Sequence, residues 1–119
     1  MIIRKVDKPW GHEIIYAHTG RYAGKILFIR AGSRLSLQFH ETKEETIYVL
    51  DGELDFVVDE SGKLVTRRLR PGEGYHIQPH VRHRMIGATD CRIAEVSSPE
   101  LNDVVRLEDE YGRAGTSTP

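Results

Sequence analysis

Residues 32–52 read GSRLSLQFHETKEETIYVLDG, and this stretch carries the pattern that predicts the fold. Polar and apolar side chains alternate through Arg34–His40, as they do in a strand with one buried face. Residues 45–50 are rich in β-branched and aromatic types, which strands favour. The Asp51-Gly52 pair that follows is typical of a two-residue hairpin turn. We therefore expect two short strands here, the second of which turns back into a third.

Segments of the same kind continue along the chain, and most glycines and prolines fall between them. We expect strands at Glu13–Ala17, Lys25–Arg30, Arg34–His40, Glu45–Leu50, Glu53–Asp59, Leu64–Leu69, Tyr75–Gln78, His83–Ile86 and Cys91–Val96. Many short strands at this spacing are typical of an all-β sandwich or barrel. The sequence therefore predicts a single all-β domain over residues 1–119, with a small, polar and disordered tail at residues 114–119.

Charge and composition exclude several classes of function. Lys and Arg total 17 against 18 Asp and Glu, so there is no strong field of one sign to recruit nucleic acid or an anionic membrane. The longest apolar runs are about four residues, far below the roughly 20 that a membrane-spanning helix needs. Cys91 is the only cysteine, which excludes an internal disulfide and a multi-cysteine zinc cluster. We therefore expect a cytoplasmic protein that binds neither nucleic acid nor membranes.

Glu45 is a carboxylate in an otherwise apolar row. In the register of a two-residue turn, three pairs of residues face each other on one side of the hairpin: Val49–Leu54, Ile47–Phe56 and Glu45–Val58. A carboxylate on an inward face is costly to bury unless another group pairs with it. We therefore expect Glu45 to have a partner inside the fold.

The strand before Glu45 carries polar side chains on the side that would face a cavity. One row consists of Arg34, Ser36, Gln38 and His40, and the opposite row consists of Leu35, Leu37 and Phe39. If His40 and Glu45 share a cavity, the polar row lines it and the apolar row points outward. An outward apolar row needs cover from a second layer or from another subunit, so we expect a homodimer.

Two spacings in the chain resemble the two motifs of the cupin family. The spacing of the first motif is matched by Gly32, Gln38, His40, Glu45 and Gly52. Gln38 stands where that motif has its first histidine. The spacing of the second motif is matched by Gly72 and His83, although Gln78 and His80 stand where it has proline and glycine. Cupins are small barrels of the double-stranded β-helix (jelly-roll) type, and the resemblance implies that fold.

Three segments resemble one branch of that family, the cupin domain of type II mannose-6-phosphate isomerases. They are residues 8–11, 34–40 and 103–113, which read KPWG, RLSLQFH and DVVRLEDEYGR. The resemblance covers residues 8–113, and the family's domain is often fused behind a mannose-1-phosphate guanylyltransferase. It implies a stand-alone version of the domain that interconverts mannose 6-phosphate and fructose 6-phosphate. The sequence has no glycine-rich loop for nucleotide phosphates, so we do not expect it to make a nucleotide sugar alone.

One divalent metal ion is expected at Gln38, His40, Glu45 and His83. Gln38 and His40 are two residues apart and project to the same side of a strand. Glu45 begins the next strand, and His83 would reach the site from across the barrel. Two imidazoles, a carboxylate and an amide oxygen suit Zn²⁺, Mn²⁺, Fe²⁺, Co²⁺ or Ni²⁺ and leave positions open for substrate oxygens. The alternative is a hydrogen-bonded polar cluster without metal.

An isomerase that acts on a sugar phosphate needs cations for the phosphate and a base to move a proton between C2 and C1. Arg34, on the polar row, is the first candidate for the phosphate, because the guanidinium fork suits bidentate contacts. Arg106 is another candidate if the C-terminal segment folds over the cavity mouth. Glu95, a lone carboxylate in an apolar strand, is the candidate base. Lys25 is grouped with it as a further catalytic or phosphate-binding candidate.

Two other classes of function stay open. A non-catalytic cupin that binds a sugar or a metal in polysaccharide biosynthesis is compatible with the departures at Gln78 and His80. A nucleotide-sugar epimerase of the related cupin type would use a His–Asp pair and a tyrosine acid without metal. That set cannot be assembled around His40 from the sequence. Turnover that depends on an added divalent ion would distinguish the isomerase from both alternatives.

Overall fold

The computed structural model describes residues 3–112, which form eleven strands in two antiparallel sheets. The strands are β1 (Arg4–Lys8), β2 (Gly11–His18), β3 (Ala23–Ile29), β4 (Leu37–Phe39), β5 (Glu45–Asp51), β6 (Leu54–Glu60), β7 (Lys63–Leu69), β8 (Gly74–Ile77), β9 (His83–Gly87), β10 (Cys91–Ser97) and β11 (Val105–Glu108). One sheet has the order β1-β2-β3-β10-β5-β8, and the other has the order β11-β4-β9-β6-β7. The predicted tail at residues 114–119 lies outside the described residues. No helix within residues 3–112 has the length and apolar character to cross a membrane.

Both sheets contribute their inward faces to one hydrophobic core. Alternate residues of β5 and β6 are buried, because successive side chains of a strand point to opposite faces. The fully buried apolar side chains come from both sheets and include Phe56, Ile29, Ile47, Leu54, Ile77 and Ile93. The all-β fold class that the sequence predicts is therefore confirmed.

The Asp51-Gly52 turn does not form the hairpin that the sequence predicts. β5 pairs with β10 and β8, whereas β6 pairs with β7 and β9, so the turn carries the chain from one sheet to the other. Gly52 has a φ of 76°, and its backbone lies against Asp90 and Cys91. The prediction that β5 and β6 bury the same row of residues is nevertheless confirmed. All six are buried: Glu45, Ile47, Val49, Leu54, Phe56 and Val58.

The predicted strand at Arg34–His40 is much shorter in the structure. β4 spans only Leu37–Phe39, and before it Arg34 makes no more than an isolated bridge with Ile86. The strands β1 and β11 were not predicted. Both lie at the edge of a sheet. The β1 sequence RKVDK lacks apolar alternation, and β11 is only four residues long and buries Arg106 instead of Leu107.

The apolar row of the predicted strand is not an outward face. Leu37 is buried, and Leu35 packs against the core of the same chain. Phe39 is half-buried, and its ring lies 6.2 Å from that of His80. The expectation that this row points outward was wrong, because the chain itself covers it. The row therefore does not support the homodimer, which stays a prediction.

Replacing Gly52 with alanine is expected to destabilise the protein by about 3 kcal/mol. A Cβ atom at this position would lie 2.1 Å from the carbonyl oxygen of Asp90, in addition to the strain of a left-handed alanine. Gly62→Ala is the matched control, since Gly62 has a φ of 86° but no atom within 4 Å of an added Cβ. Urea unfolding should show at least about twice the loss for Gly52→Ala. Equal losses would contradict the importance of the close approach.

Candidate metal centre

Three buried side chains meet where the two sheets come together. His40 follows β4, Glu45 begins β5, and His83 begins β9. Their side chains are only 3%, 2% and 1% exposed, and one ligand atom from each lies within 4.8 Å of the others. His40 Nε2 is 3.4 Å from Glu45 Oε2, and His83 Nε2 is 3.7 Å from Glu45 Oε1. The structure therefore brings together three of the four predicted metal ligands.

Backbone carbonyls orient both imidazole rings. The Nδ1 of His40 lies 2.5 Å from the carbonyl oxygen of Asp103, and the Nδ1 of His83 lies 2.9 Å from that of Val81. A carbonyl can only accept, so each Nδ1 donates and the Nε2 of a neutral ring keeps its lone pair. Burial lowers the pKa of His83 despite the opposing attraction of Glu45, which favours the neutral ring. A neutral ring held in this way presents its Nε2 lone pair toward Glu45.

The buried ring nitrogens fit a divalent cation. The Nε2 atoms of His40 and His83 are both buried without a hydrogen-bond partner, which is uncommon for polar atoms in native proteins. Two neutral imidazoles and a carboxylate form a donor set that suits a borderline divalent metal. The cluster therefore has the unpartnered ring nitrogens, the burial and the residue types of a metal site.

Gln38, the fourth predicted ligand, lies next to this cluster. It pairs with His83 across β4 and β9 and lines the cavity beside it. Its Oε1 accepts a hydrogen bond of 2.6 Å from the Ser36 hydroxyl. The contact with Ser36 fixes the orientation of the amide, and a metal-ligating role for Gln38 stays a prediction.

A buried ion pair that the sequence analysis missed lies against the cluster. Lys43 Nζ is 3.0 Å from Glu45 Oε2 and 3.2 Å from Glu95 Oε2. Burial alone would lower the pKa of Lys43, but the attraction of Glu95 and Glu45 outweighs it and raises the pKa above its usual range. Burial would likewise raise the pKa of Glu45, but Lys43 and His40 lower it. Both groups of this pair are therefore charged.

A cavity opens beside the cluster and contains groups of both charges. Its lining includes the cations Lys8, Lys25, Lys43 and Arg106, and the carboxylates Glu13, Glu45 and Glu95. Lys25 Nζ lies 3.4 Å from Glu13 Oε1, and Lys8 Nζ lies 4.0 Å from the same oxygen. Ser36, Gln38 and His40 also line the cavity, as the polar row predicts. A polar, partly anionic ligand of small size would suit this lining.

The structure separates the remaining predicted site residues. Glu95, Lys25 and Arg106 are buried and line the cavity, and Lys25 pairs with Glu95 across β3 and β10. Arg34 does not line it: its side chain is 42% exposed and lies 3.5 Å from Glu110. The expected place of Arg34 on the cavity row was wrong, because regular strand structure begins only at Leu37. Its role in phosphate binding stays a prediction.

Asp103 shapes the loop between two of the ligands, although the sequence analysis assigned it no role. Its carboxylate accepts hydrogen bonds from the backbone N–H groups of residues 41–43, at 3.0, 2.7 and 2.8 Å. Burial would raise the pKa of Asp103, but these three bonds lower it. Its carbonyl also orients His40. The only sequence signal was its place at the start of the segment 103–113.

The chain turns at His80, just before the strand that carries His83. His80 stands where the motif has glycine, and it adopts a φ of 69°, a region that few non-glycine residues visit. Its N–H donates to the carbonyl of His40 at 2.7 Å. This hydrogen bond joins the segment before His83 to the backbone of His40.

Comparisons with known proteins agree with this geometry. Residues 26–97 match the cupin domain family. The alginate biosynthesis protein AlgA of Pseudomonas putida is 32% identical over 120 residues, which cover 97% of this chain and 24% of AlgA. The mannose-1-phosphate guanylyltransferase of Escherichia coli is 31% identical over 122 residues, which cover 92% of this chain and 23% of that protein. This chain thus spans about a quarter of the length of both relatives.

A solved structure shows the same fold. KdgF from Halomonas sp. superposes with a TM-score of 0.69 at 23% sequence identity, over 83% of this chain and 88% of that one. The likeness extends over nearly the whole of both chains. At this identity it bears on the architecture alone.

Replacing Asp103 with alanine is expected to destabilise the protein by about 1–2 kcal/mol, because three backbone N–H groups lose their acceptor. Asp7→Ala is the control: its side chain is 89% exposed, and a change below about 0.5 kcal/mol is expected. The lowered pKa of Asp103 means that its contribution is present above the usual aspartate pKa and disappears as the pH falls through the folded-state pKa. Equal, small losses for both variants in urea unfolding at neutral pH would contradict the assigned role.

Proposed function

This chain belongs to the cupin family, and on that premise we propose that it is a metal-dependent sugar-phosphate isomerase, which interconverts mannose 6-phosphate and fructose 6-phosphate. The observation that carries the proposal is the buried cluster of His40, Glu45 and His83, whose Nε2 atoms lack hydrogen-bond partners, beside a cavity lined by groups of both charges. The names of the relatives, which refer to alginate biosynthesis and to mannose 1-phosphate, support a sugar-related role. The three segments that resemble type II mannose-6-phosphate isomerases favour this reaction.

His40, Glu45 and His83 would hold one divalent ion, with Gln38 as a further ligand. Zn²⁺, Mn²⁺, Fe²⁺, Co²⁺ and Ni²⁺ all suit imidazole and carboxylate donors. When bound, such an ion acts as a Lewis acid that stabilises negative charge on the sugar oxygens. The carbonyls of Asp103 and Val81 keep both rings in the tautomer that this role requires.

Glu95 is proposed as the group that moves the proton between the two carbons. It is 5% exposed, and its side chain lines the cavity. Lys43 Nζ lies 3.2 Å from Glu95 Oε2 and so holds the carboxylate in place. In the proposed reaction Glu95 accepts the proton from C2 and returns it to C1. Lys25, its cross-strand neighbour, is proposed to hydrogen-bond a sugar oxygen during the transfer.

Arg106 is proposed to bind the phosphate group. It is 6% exposed, lies opposite Gln38 across β4 and β11, and lines the cavity. Its guanidinium suits the oxygens of a phosphate dianion. Arg34 is the weaker candidate because its side chain lies outside the cavity lining.

A second candidate function is a non-catalytic cupin that binds a sugar or a metal in polysaccharide biosynthesis. The observation that favours it is the departure from the second cupin motif at Gln78 and His80. The epimerase alternative is less well supported. His40 Nδ1 faces the backbone carbonyl of Asp103 and not its carboxylate, so these two residues form no His–Asp pair.

The proposal includes a homodimer in the cytoplasm. The homodimer is supported by the outer face of the six-stranded sheet, where Tyr16, Tyr48 and Val96 are each at least 44% exposed. Soluble monomers seldom expose large contiguous apolar patches. Sedimentation equilibrium that gives the mass of a single chain would contradict the homodimer.

Metal-stripped protein is expected to form no fructose 6-phosphate from mannose 6-phosphate, and one or more of the five ions should restore turnover. The reaction can be followed with a coupled assay for fructose 6-phosphate, with each ion added singly. Folded protein that binds metal but turns over no substrate with any ion would contradict the isomerase. That result would favour the non-catalytic binding function.

Two pairs of variants serve as controls for this assay. His83→Ala should abolish metal-restored turnover, because it removes a proposed ligand, whereas His12→Ala alters a histidine outside the cavity lining. Arg106→Ala should raise KM about tenfold or more by removing a charge-assisted contact to phosphate, and Arg34→Ala should raise it less. A larger rise in KM for Arg34→Ala would assign the phosphate to Arg34 instead.

A further inference from the structure

A buried ammonium group lies against the candidate metal ligands. Lys43 is 5% exposed, and its Nζ is 3.0 Å from Glu45 Oε2. We propose that Lys43 is an internal counter-cation, which competes with the metal for Glu45 and so weakens metal binding. This inference rests on the proposed metal site and concerns how tightly that site holds its ion.

Both the backbone and the side-chain ammonium of Lys43 are held by carboxylates. Its backbone N–H donates to Asp103 Oδ2 at 2.8 Å, and its Nζ lies between the carboxylates of Glu45 and Glu95. Both carboxylates are buried, at 3% and 5% exposure. Two like charges without a cation between them would be costly to bury. Lys43 therefore stabilises the centre in the absence of metal.

The geometry of Glu45 makes the competition direct. Its Oε2 faces both Lys43 Nζ at 3.0 Å and His40 Nε2 at 3.4 Å, while its Oε1 faces His83 Nε2. A cation held by the two ring nitrogens would share the carboxylate of Glu45 with the ammonium. Two cations at such a separation repel each other, and salt screens buried charges only weakly. Lys43 therefore lowers the affinity of the site for metal.

Glu95 sets the strength of this effect. Its Oε2, 3.2 Å from Lys43 Nζ, gives the ammonium a second carboxylate and so divides its attraction between two partners. Without the charge of Glu95, Lys43 would interact with Glu45 alone and compete more strongly. Together, Glu45, Lys43 and Glu95 set a metal affinity that is low enough for the bound ion to exchange. Replacing Lys43 or Glu95 should shift metal affinity in opposite directions.

The dissociation constant for Zn²⁺ tests the inference when it is measured by competition with a chromogenic chelator. Lys43→Met is expected to bind Zn²⁺ about tenfold or more tightly than the wild type, and Glu95→Gln about tenfold or more weakly. Lys43→Arg keeps the charge and should stay within about threefold of the wild type. Tighter binding on loss of a lysine would not follow if Lys43 only positioned Glu45, because a misplaced ligand weakens binding.

A double variant keeps the test decisive if Lys43→Met does not fold without metal. Lys43→Met/Glu95→Gln removes one charge of each sign, and it should bind Zn²⁺ about tenfold more tightly than Glu95→Gln alone. Equal or weaker binding in either comparison would overturn the counter-cation role. Wild-type protein that takes up no Zn²⁺ would overturn the proposed metal site, and the inference with it. Wild-type uptake with an unchanged Lys43→Met would overturn the inference alone.

Discussion

The buried carboxylate of Glu45 is the constraint around which the site is organised. It begins a strand whose next inward residues, Ile47 and Val49, belong to the hydrophobic core. An uncompensated charge at such a position would cost several kcal/mol. The ammonium of Lys43, 3.0 Å from Glu45 Oε2, compensates it, and a cation held by the imidazoles of His40 and His83 would do the same. The site is therefore defined by the groups that face this one buried acid.

The fold supplies these groups from both of its sheets. Glu45 comes from the six-stranded sheet, while His40 and His83 come from the loop after β4 and the start of β9 in the five-stranded sheet. The carboxylate of Asp103 accepts hydrogen bonds from the loop between His40 and Glu45, and its carbonyl orients the ring of His40. The candidate metal centre therefore lies at a junction of the two sheets, and the cavity with Arg106 and Lys25 opens beside it. Such an arrangement fits a site where a small anionic ligand would meet a bound ion.

The sequence was sufficient for the fold class and for the strand interiors, because these depend on local alternation of side chains. The buried row from Glu45 to Val58 was correct even though the Asp51-Gly52 turn joins two sheets and forms no hairpin. The Asp51-Gly52 pair favours a tight reversal of the chain, which serves equally in a hairpin and in a connection between two sheets. It does not determine which sheet the next strand joins. The same limit applies to Arg34, whose direction depended on a regular strand that begins three residues later.

The candidate site could be predicted only in part, because two of the residues that support it, Lys43 and Asp103, come from loops. Glu45 was identifiable as a charge in an apolar row, and His40 by its spacing from it. Lys43 and Asp103 lie outside the strands, where no periodicity indicates the direction of a side chain. Their contacts join residues 52 and 60 positions apart. Long-range pairings of this kind follow from the tertiary structure alone.

X-ray absorption spectroscopy at the metal edge of the Co²⁺-loaded protein tests the central claim most directly. Imidazole ligands give a characteristic outer-shell scattering pattern, which oxygen ligands lack. The account predicts two imidazoles together with oxygen donors around one ion for each chain, with the imidazole signal reduced in His83→Ala. A coordination shell of oxygen atoms without imidazole scattering would contradict it, since His40 and His83 would then lie outside the metal centre.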